Sequence, residues 1–139
     1  MKQLAAIQSC YLFNVMGHEL DRKILLWTDS PESLRASQFI FEQICEYATI
    51  MKLDLDSLSH GTSFDRALHV PADCPLCLAP FCADVVRLLV LLRHGGVWFD
   101  ADVLFLRSLD DLLQTYPRTF AYGWERQAYP NNAVLGAPG

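Results

Sequence analysis

The chain has 139 residues, of which 52% are hydrophobic and 19% are charged, and its formal net charge at pH 7 is −5. This composition is that of a folded protein, and the length suits one domain, residues 1–139, with one core. The acidic balance and the scattered Lys and Arg argue against a nucleic-acid partner. No continuous apolar run reaches the roughly eighteen residues of a membrane helix, so we predict no membrane span in this chain.

The first half of the chain predicts alternating helices and strands. Apolar residues recur at helical spacing over Gln3–Met16, and Lys23–Thr28 is a short apolar run typical of a buried strand. A helix start at Pro31 follows, and we expect this helix to run to about Tyr47 with Phe39 among the residues of its inner face. Residues 49–55 then predict a second strand.

The second half contains a long apolar helix that begins near Pro80 and ends at Gly95 and Gly96. The elements predicted after it are two strands, a short helix and two further strands: Val97–Asp100, Val103–Leu106, Ser108–Gln114, Arg118–Glu125 and Ala133–Ala137. A polar turn at Tyr129–Asn132 is predicted to join the last two strands. The alternation of strands and helices favours an α/β fold with parallel crossovers.

Two carboxylates stand at the end of the strand that follows the glycine pair. Because residues i and i+2 of a strand point to the same face, Asp100 and Asp102 are expected to aim together. Neighbouring carboxylates repel each other unless a cation lies beside them, and this arrangement suits Mg²⁺ or Mn²⁺ holding a diphosphate. A solvated strand end is the alternative interpretation.

The long helix carries a second polar pair. Asp84 and Arg87 are three residues apart on a helix that is otherwise apolar nearly all round, which predicts that the helix is buried. Charged groups on a buried helix need partners, and these two can pair with each other. The pair is therefore either a structural ion pair or a group that reaches polar ligand atoms.

Taken together, these residues resemble a known family pattern of an Asp, an Arg three residues later, an apolar run, Gly-Gly, an aromatic residue and Asp-x-Asp. The matching positions here are Asp84, Arg87, Gly95, Gly96, Trp98 or Phe99, Asp100 and Asp102, with Ala83 where the family has Ser. The pattern resembles that of DXD-motif glycosyltransferases, specifically the family with α-1,4-sugar transferases, initiating mannosyltransferases and glucosylating toxins.

The resemblance implies a GT-A-like nucleotide-sugar-binding fold with a mostly parallel central sheet flanked by helices. It also implies that the chain is truncated at both ends. The implied activity moves a sugar from a nucleoside-diphosphate sugar, a UDP-sugar or GDP-mannose, to a hydroxyl of a glycan, lipid or protein acceptor, with retention. The implied compartment is the Golgi lumen for a eukaryotic relative and the cytoplasm for a bacterial or viral one.

By the same resemblance, particular residues take particular roles. Asp102 is the direct metal ligand, and Asp100 contacts the ribose or sugar and reaches the metal mostly through water. Asp84 and Arg87 hydrogen-bond hydroxyls of the donor sugar, and Asn132 lies in a segment that lines the sugar and acceptor cleft. The implied cofactor is Mn²⁺ or Mg²⁺.

Two other interpretations remain open at this point. The chain could be a catalytically inactive remnant or fragment that keeps the fold and a weak divalent site. It could also be a zinc-stabilised interaction module, because Cys74 and Cys77 have the spacing of half a zinc site and Cys82 follows closely.

Overall fold

A computed structural model of the chain describes residues 2–18, 21–65, 79–122 and 131–138, with the side chains of residues 79–82 and 122 excluded. Within these residues the chain forms helices and strands in mixed order. They are α1 (Lys2–Asn14), β1 (Leu25–Thr28), α2 (Pro31–Arg35), α3 (Gln38–Tyr47), β2 (Thr49–Lys52), α4 (Leu55–Ser59), α5 (Ala79–His94), β3 (Gly96–Phe99), α6 (Asp110–Thr115), β4 (Phe120–Tyr122) and β5 (Asn131–Ala137). In the described ranges, no helix is long and apolar enough to cross a membrane.

The strands form two sheets. β1 and β2 pair in parallel, with Leu25 opposite Thr49. The other sheet has the order β3-β5-β4, and both of its pairings are antiparallel. The predicted α/β class is therefore confirmed, whereas a mostly parallel central sheet is not found among the described strands. The physical reason is that β5 lies between β3 and β4 and runs against both of them.

The chain divides into two compact units, each built from two stretches of sequence. The first unit comprises Met1–Leu53 and Asp100–Pro117, and the second comprises Asp54–Phe99 and Arg118–Gly139. The chain therefore passes from the second unit back to the first directly after β3. A single domain over residues 1–139 stays a prediction.

The core of the first unit lies where α1 packs against α3. Its buried apolar residues include Ala6, Ile7 and Ile44. The helix predicted from Pro31 to Tyr47 is divided into α2 and α3, and Phe39, which was expected on the inner face, is exposed. The break changes which side chains of this segment face inward.

The second unit is built around α5, which packs against α4, β3 and β5. Leu89 is fully buried, but Leu88 and Leu92 are 50% and 66% exposed. The prediction that this helix is buried all round is therefore wrong for one face. Residues four apart share a side of a helix, so Leu88 and Leu92 form one exposed apolar strip.

The glycine pair ends α5 as predicted. The Gly95 N–H donates to the Leu91 carbonyl at 2.8 Å, which completes the last helical turn. Gly95 and Gly96 have φ angles of +64° and +87°. Two consecutive left-handed residues require glycine, because a Cβ atom makes this backbone region costly. The pair turns the chain from the helix directly into β3.

Candidate functional site

The Asp-x-Asp residues lie on a turn immediately after β3. The strand ends at Phe99, and the Val103 N–H donates to the Asp100 carbonyl at 3.0 Å, which closes the turn. Asp100 is half-buried and Asp102 is exposed. Strand alternation therefore does not determine where these carboxylates point, contrary to the expectation. The turn still holds two acidic residues close together in sequence, separated only by the small Ala101.

The segment after this turn is anchored to α1. The Phe105 N–H donates to Ser9 Oγ at 3.1 Å, and the Leu109 N–H donates to Asn14 Oδ1 at 2.7 Å. Phe105 and Asn14 are both buried. Two side chains of α1 thus fix the backbone that follows Asp102. Sequence reasoning missed them, because no local pattern links residues separated by 95 or 96 positions.

A charged cluster holds the start of α6 in the same unit. Arg22 Nη2 donates to Asp110 Oδ1 at 2.5 Å, and His18 Nδ1 lies 3.3 Å from Asp110 Oδ2. The Ser108 hydroxyl and the Arg22 guanidinium lower the pKa of the Asp110 carboxyl, because both donate hydrogen bonds to its charged form. The Ser108 hydroxyl accepts the Asp110 N–H at 3.1 Å, although the N-cap position of this helix is occupied by Leu109.

The second group of predicted site residues meets in the other unit. Arg87 Nη2 lies 3.0 Å from Asp84 Oδ1, so the predicted pair forms. Asn132 joins it from the start of β5, where its side-chain amide donates to Asp84 Oδ1 at 2.8 Å. The backbone carbonyl of Asn132 accepts a hydrogen bond from Arg87 Nη1 at 2.5 Å. The structure therefore brings Asp84, Arg87 and Asn132 into one hydrogen-bonded cluster.

The members of this cluster differ in burial. The Arg87 side chain is 8% exposed, whereas the Asp84 side chain is 50% exposed. The Arg87 guanidinium carbon lies 5.9 Å from the centre of the Trp98 ring, within the range of a cation–π contact. The desolvated guanidinium is thus held between an aromatic ring and protein oxygens. The carboxylate beside it keeps access to water, so it can accept hydrogen bonds from a polar ligand.

The segment around Asn132 differs from its prediction. Asn131 and Asn132 were expected in a turn, but they are the first two residues of β5. Their turn neighbours Tyr129 and Pro130 lie outside the described residues. Asn131 is paired with Tyr122 of β4 beside an irregularity in the register, whereas the residues of β5 that pair with β3 are Val134–Ala137.

Among the described residues, no group of three or more His, Cys, Asp or Glu side chains comes together. Mg²⁺ and Mn²⁺ at nucleotide sites need only one or two protein carboxylates, because phosphate oxygens and water complete the shell. Asp100 and Asp102 fit that requirement.

The cysteines predicted for the zinc alternative fall outside the part of the chain that the structure describes. Cys74 and Cys77 lie in the excluded segment, and the side chain of Cys82 is excluded as well. Among the described cysteines, Cys10 is buried, Cys45 is exposed, and both are free thiols. Burial raises the pKa of the Cys10 thiol to about 11.

Comparison with known proteins identifies the family to which this chain belongs. Residues 6–119 match the family described as the glycosyltransferase sugar-binding region containing the DXD motif. No significant match was found among curated proteins or among solved structures. The matched range includes the Asp84–Arg87 pair, the glycine turn and the Asp-x-Asp turn, and it covers most of the chain. The chain therefore belongs to the family of DXD-containing glycosyltransferase sugar-binding regions.

Proposed function

We propose that this chain is the donor-binding core of a metal-dependent glycosyltransferase with a GT-A-like fold. The reaction moves one sugar from a nucleoside-diphosphate sugar, a UDP-sugar or GDP-mannose, to a hydroxyl of a glycan, lipid or protein. The observation that carries this proposal is the Asp100–Asp102 turn directly after β3, inside the stretch that matches the family.

In this proposal Asp102 is a direct ligand of Mn²⁺ or Mg²⁺, and Asp100 supports it. The exposure of Asp102 and the placement of both carboxylates on one closed turn support this role. The ion, when bound, supplies positive charge that stabilises the departing nucleoside diphosphate. The hydrogen bonds that the Phe105 and Leu109 N–H groups donate to side chains of α1 restrict the backbone beyond the turn, which favours a defined carboxylate geometry.

The cluster of Asp84, Arg87 and Asn132 serves the donor sugar. A carboxylate accepts hydrogen bonds from hydroxyls, and sugar hydroxyls differ between epimers in direction, so such a group can discriminate among sugars. The half-exposed Asp84 supports this role. Retention follows the family expectation of a front-face transfer in which the departing phosphate accepts the proton of the acceptor hydroxyl.

The first experiment titrates UDP, GDP, UDP-sugars and GDP-mannose into the protein by calorimetry, with and without Mn²⁺. We expect nucleotide binding that requires the metal and weakens at least tenfold in Asp102→Asn. The matched control is Asp111→Asn, which removes an exposed aspartate of α6 in the same unit and should bind like the wild type. Equal binding with and without metal, or equal binding by both variants, would contradict the proposal.

A second measurement separates an enzyme from an inactive remnant. Incubation with donor and Mn²⁺ should release nucleoside diphosphate, by hydrolysis or by transfer to an added acceptor, and mass spectrometry detects both products. Metal-dependent binding with no release over hours would favour the remnant.

A further inference from the structure

We propose that Ser9 of α1 is a positioning residue for the Asp-x-Asp turn, and that its hydroxyl raises the affinity of this turn for Mn²⁺ or Mg²⁺. This inference rests on the proposed function, in which Asp102 is a ligand of that ion. Ser9 does not touch the ion and acts through the backbone that follows Asp102. All the residues that take part belong to the first unit.

The Ser9 hydroxyl is oriented by its own helix. It donates its proton to the Ala6 carbonyl at 2.9 Å, three residues earlier in α1. A hydroxyl has one proton but two lone pairs, so a hydroxyl that donates within its helix can still accept a hydrogen bond. The Phe105 N–H donates to this oxygen at 3.1 Å. The helix therefore fixes the direction of the acceptor that holds the segment after the turn.

The two carboxylates lie on a short stretch of chain between two anchored positions. The first anchor is the end of β3 at Phe99. The second is Phe105, which is bonded to Ser9 and is 6% exposed. Residues 100–104 lie between them. A short stretch held at both ends has few conformations to lose when it binds an ion, so ordering it costs little binding free energy.

Removal of the Ser9 hydroxyl would lengthen this stretch. Among the described residues, the next hydrogen bond from the segment to α1 joins the Leu109 N–H to Asn14 Oδ1 at 2.7 Å. The stretch between hydrogen-bonded anchors then grows from residues 100–104 to residues 100–108. Loop-closure entropy depends on the logarithm of loop length, and this lengthening corresponds to about two- to threefold weaker binding of the ion.

The test measures the Mn²⁺ concentration that gives half-maximal binding of UDP and of GDP in calorimetric titrations. We expect Ser9→Ala to raise this concentration about two- to threefold. Alanine has the highest helix propensity, so the substitution favours a folded α1. Ser9→Thr keeps a hydroxyl at this position and should have the Mn²⁺ requirement of the wild type.

Two further variants separate positioning from a general loss of packing. Ser59→Ala removes a buried hydroxyl that also donates to a carbonyl three residues earlier, that of Asp56, and it should leave the Mn²⁺ requirement unchanged. Asn14→Ala removes the second hydrogen bond between α1 and the segment. It should raise the requirement less than Ser9→Ala does, because its partner in the segment lies farther from the turn. Urea denaturation checks that each variant is folded.

The outcomes distinguish failure of this inference from failure of the proposed function. A wild-type protein that binds neither nucleotide, or binds them without a Mn²⁺ requirement, overturns the proposed metal site and this inference with it. A Mn²⁺ requirement that Ser9→Ala leaves unchanged overturns the inference alone. An equal rise in Ser9→Thr, Asn14→Ala or Ser59→Ala does the same. A rise that is largest in Ser9→Ala and absent in Ser9→Thr supports it.

Discussion

Truncation of Leu89 tests which face of α5 is buried and which face is exposed to solvent. Leu89 is fully buried, so Leu89→Ala removes apolar groups from a packed site. The transfer contribution is about 0.8 kcal/mol for each of three carbon groups, and the cavity left behind adds to it. We therefore expect a loss of about 2–5 kcal/mol in the free energy of unfolding. Urea denaturation followed by far-ultraviolet circular dichroism measures the loss as a lower transition midpoint.

The matched control is the neighbouring leucine. Leu88 is 50% exposed, so Leu88→Ala should cost no more than about 1 kcal/mol. The two variants have the same chemistry, the same helix and adjacent positions, and only their burial differs. Equal losses, or a larger loss for Leu88→Ala, would refute the orientation of α5 and with it the placement of Asp84 and Arg87.

The remaining predictions concern packing, acid stability and thiol reactivity. A Cβ added at Gly136 would overlap the ring of Phe120, so Gly136→Ala should lower the free energy of unfolding by about 1–3 kcal/mol, and adding Phe120→Ala should recover part of that loss in the same urea assay. The pKa of Asp110 is lowered from 3.8, so its stabilising contribution is present above that value and is lost as the pH falls through the lower pKa of the folded state. Asp110→Asn should therefore have a lower free energy of unfolding than the wild type at pH 7, and the two values should converge in strong acid. The control Asp111→Asn should follow the wild type at every pH. Parallel curves of unfolding free energy against pH for all three proteins would contradict this prediction. The pKa of the Cys10 thiol is raised from 9.0 to about 11, so at neutral pH this thiol has roughly a hundredfold less thiolate than an ordinary cysteine. Iodoacetamide should therefore modify Cys10 slowly in the native protein and rapidly in urea, as measured by peptide mass spectrometry. Fast modification of the native protein would refute the burial of Cys10.

Several features could be predicted from the sequence because they depend only on near neighbours. The end of α5 at Gly95 is one, since a glycine after an apolar helical run is a local stop signal. The pairing of Asp84 with Arg87 is another, because helix geometry places residues three apart side by side. The Asp-x-Asp after an apolar strand was likewise visible in the sequence, although the turn that carries it was not.

Other features could not be predicted, because they depend on which distant segments pack together. The sequence indicated strands, but it did not indicate that β5 pairs antiparallel with β3 and β4. Leu88 was expected to be buried because an apolar helix gives no sign of which face its neighbours cover. Asn132 was predicted in a turn, since asparagine beside proline favours turns, but it is the second residue of β5.

The amino-acid sequence by itself determined the family, the end of α5 at the glycine pair, the Asp100–Asp102 pair and the Asp84–Arg87 contact. Each of these features depends on residues that are close together in the sequence. Only the tertiary structure decided that a carbonyl 45 residues away binds Arg87 and that Ser9 anchors the chain beyond the Asp-x-Asp turn. The reason is that backbone geometry fixes contacts within a helical turn or a strand. Contacts between distant segments depend instead on how whole elements pack to bury their apolar faces.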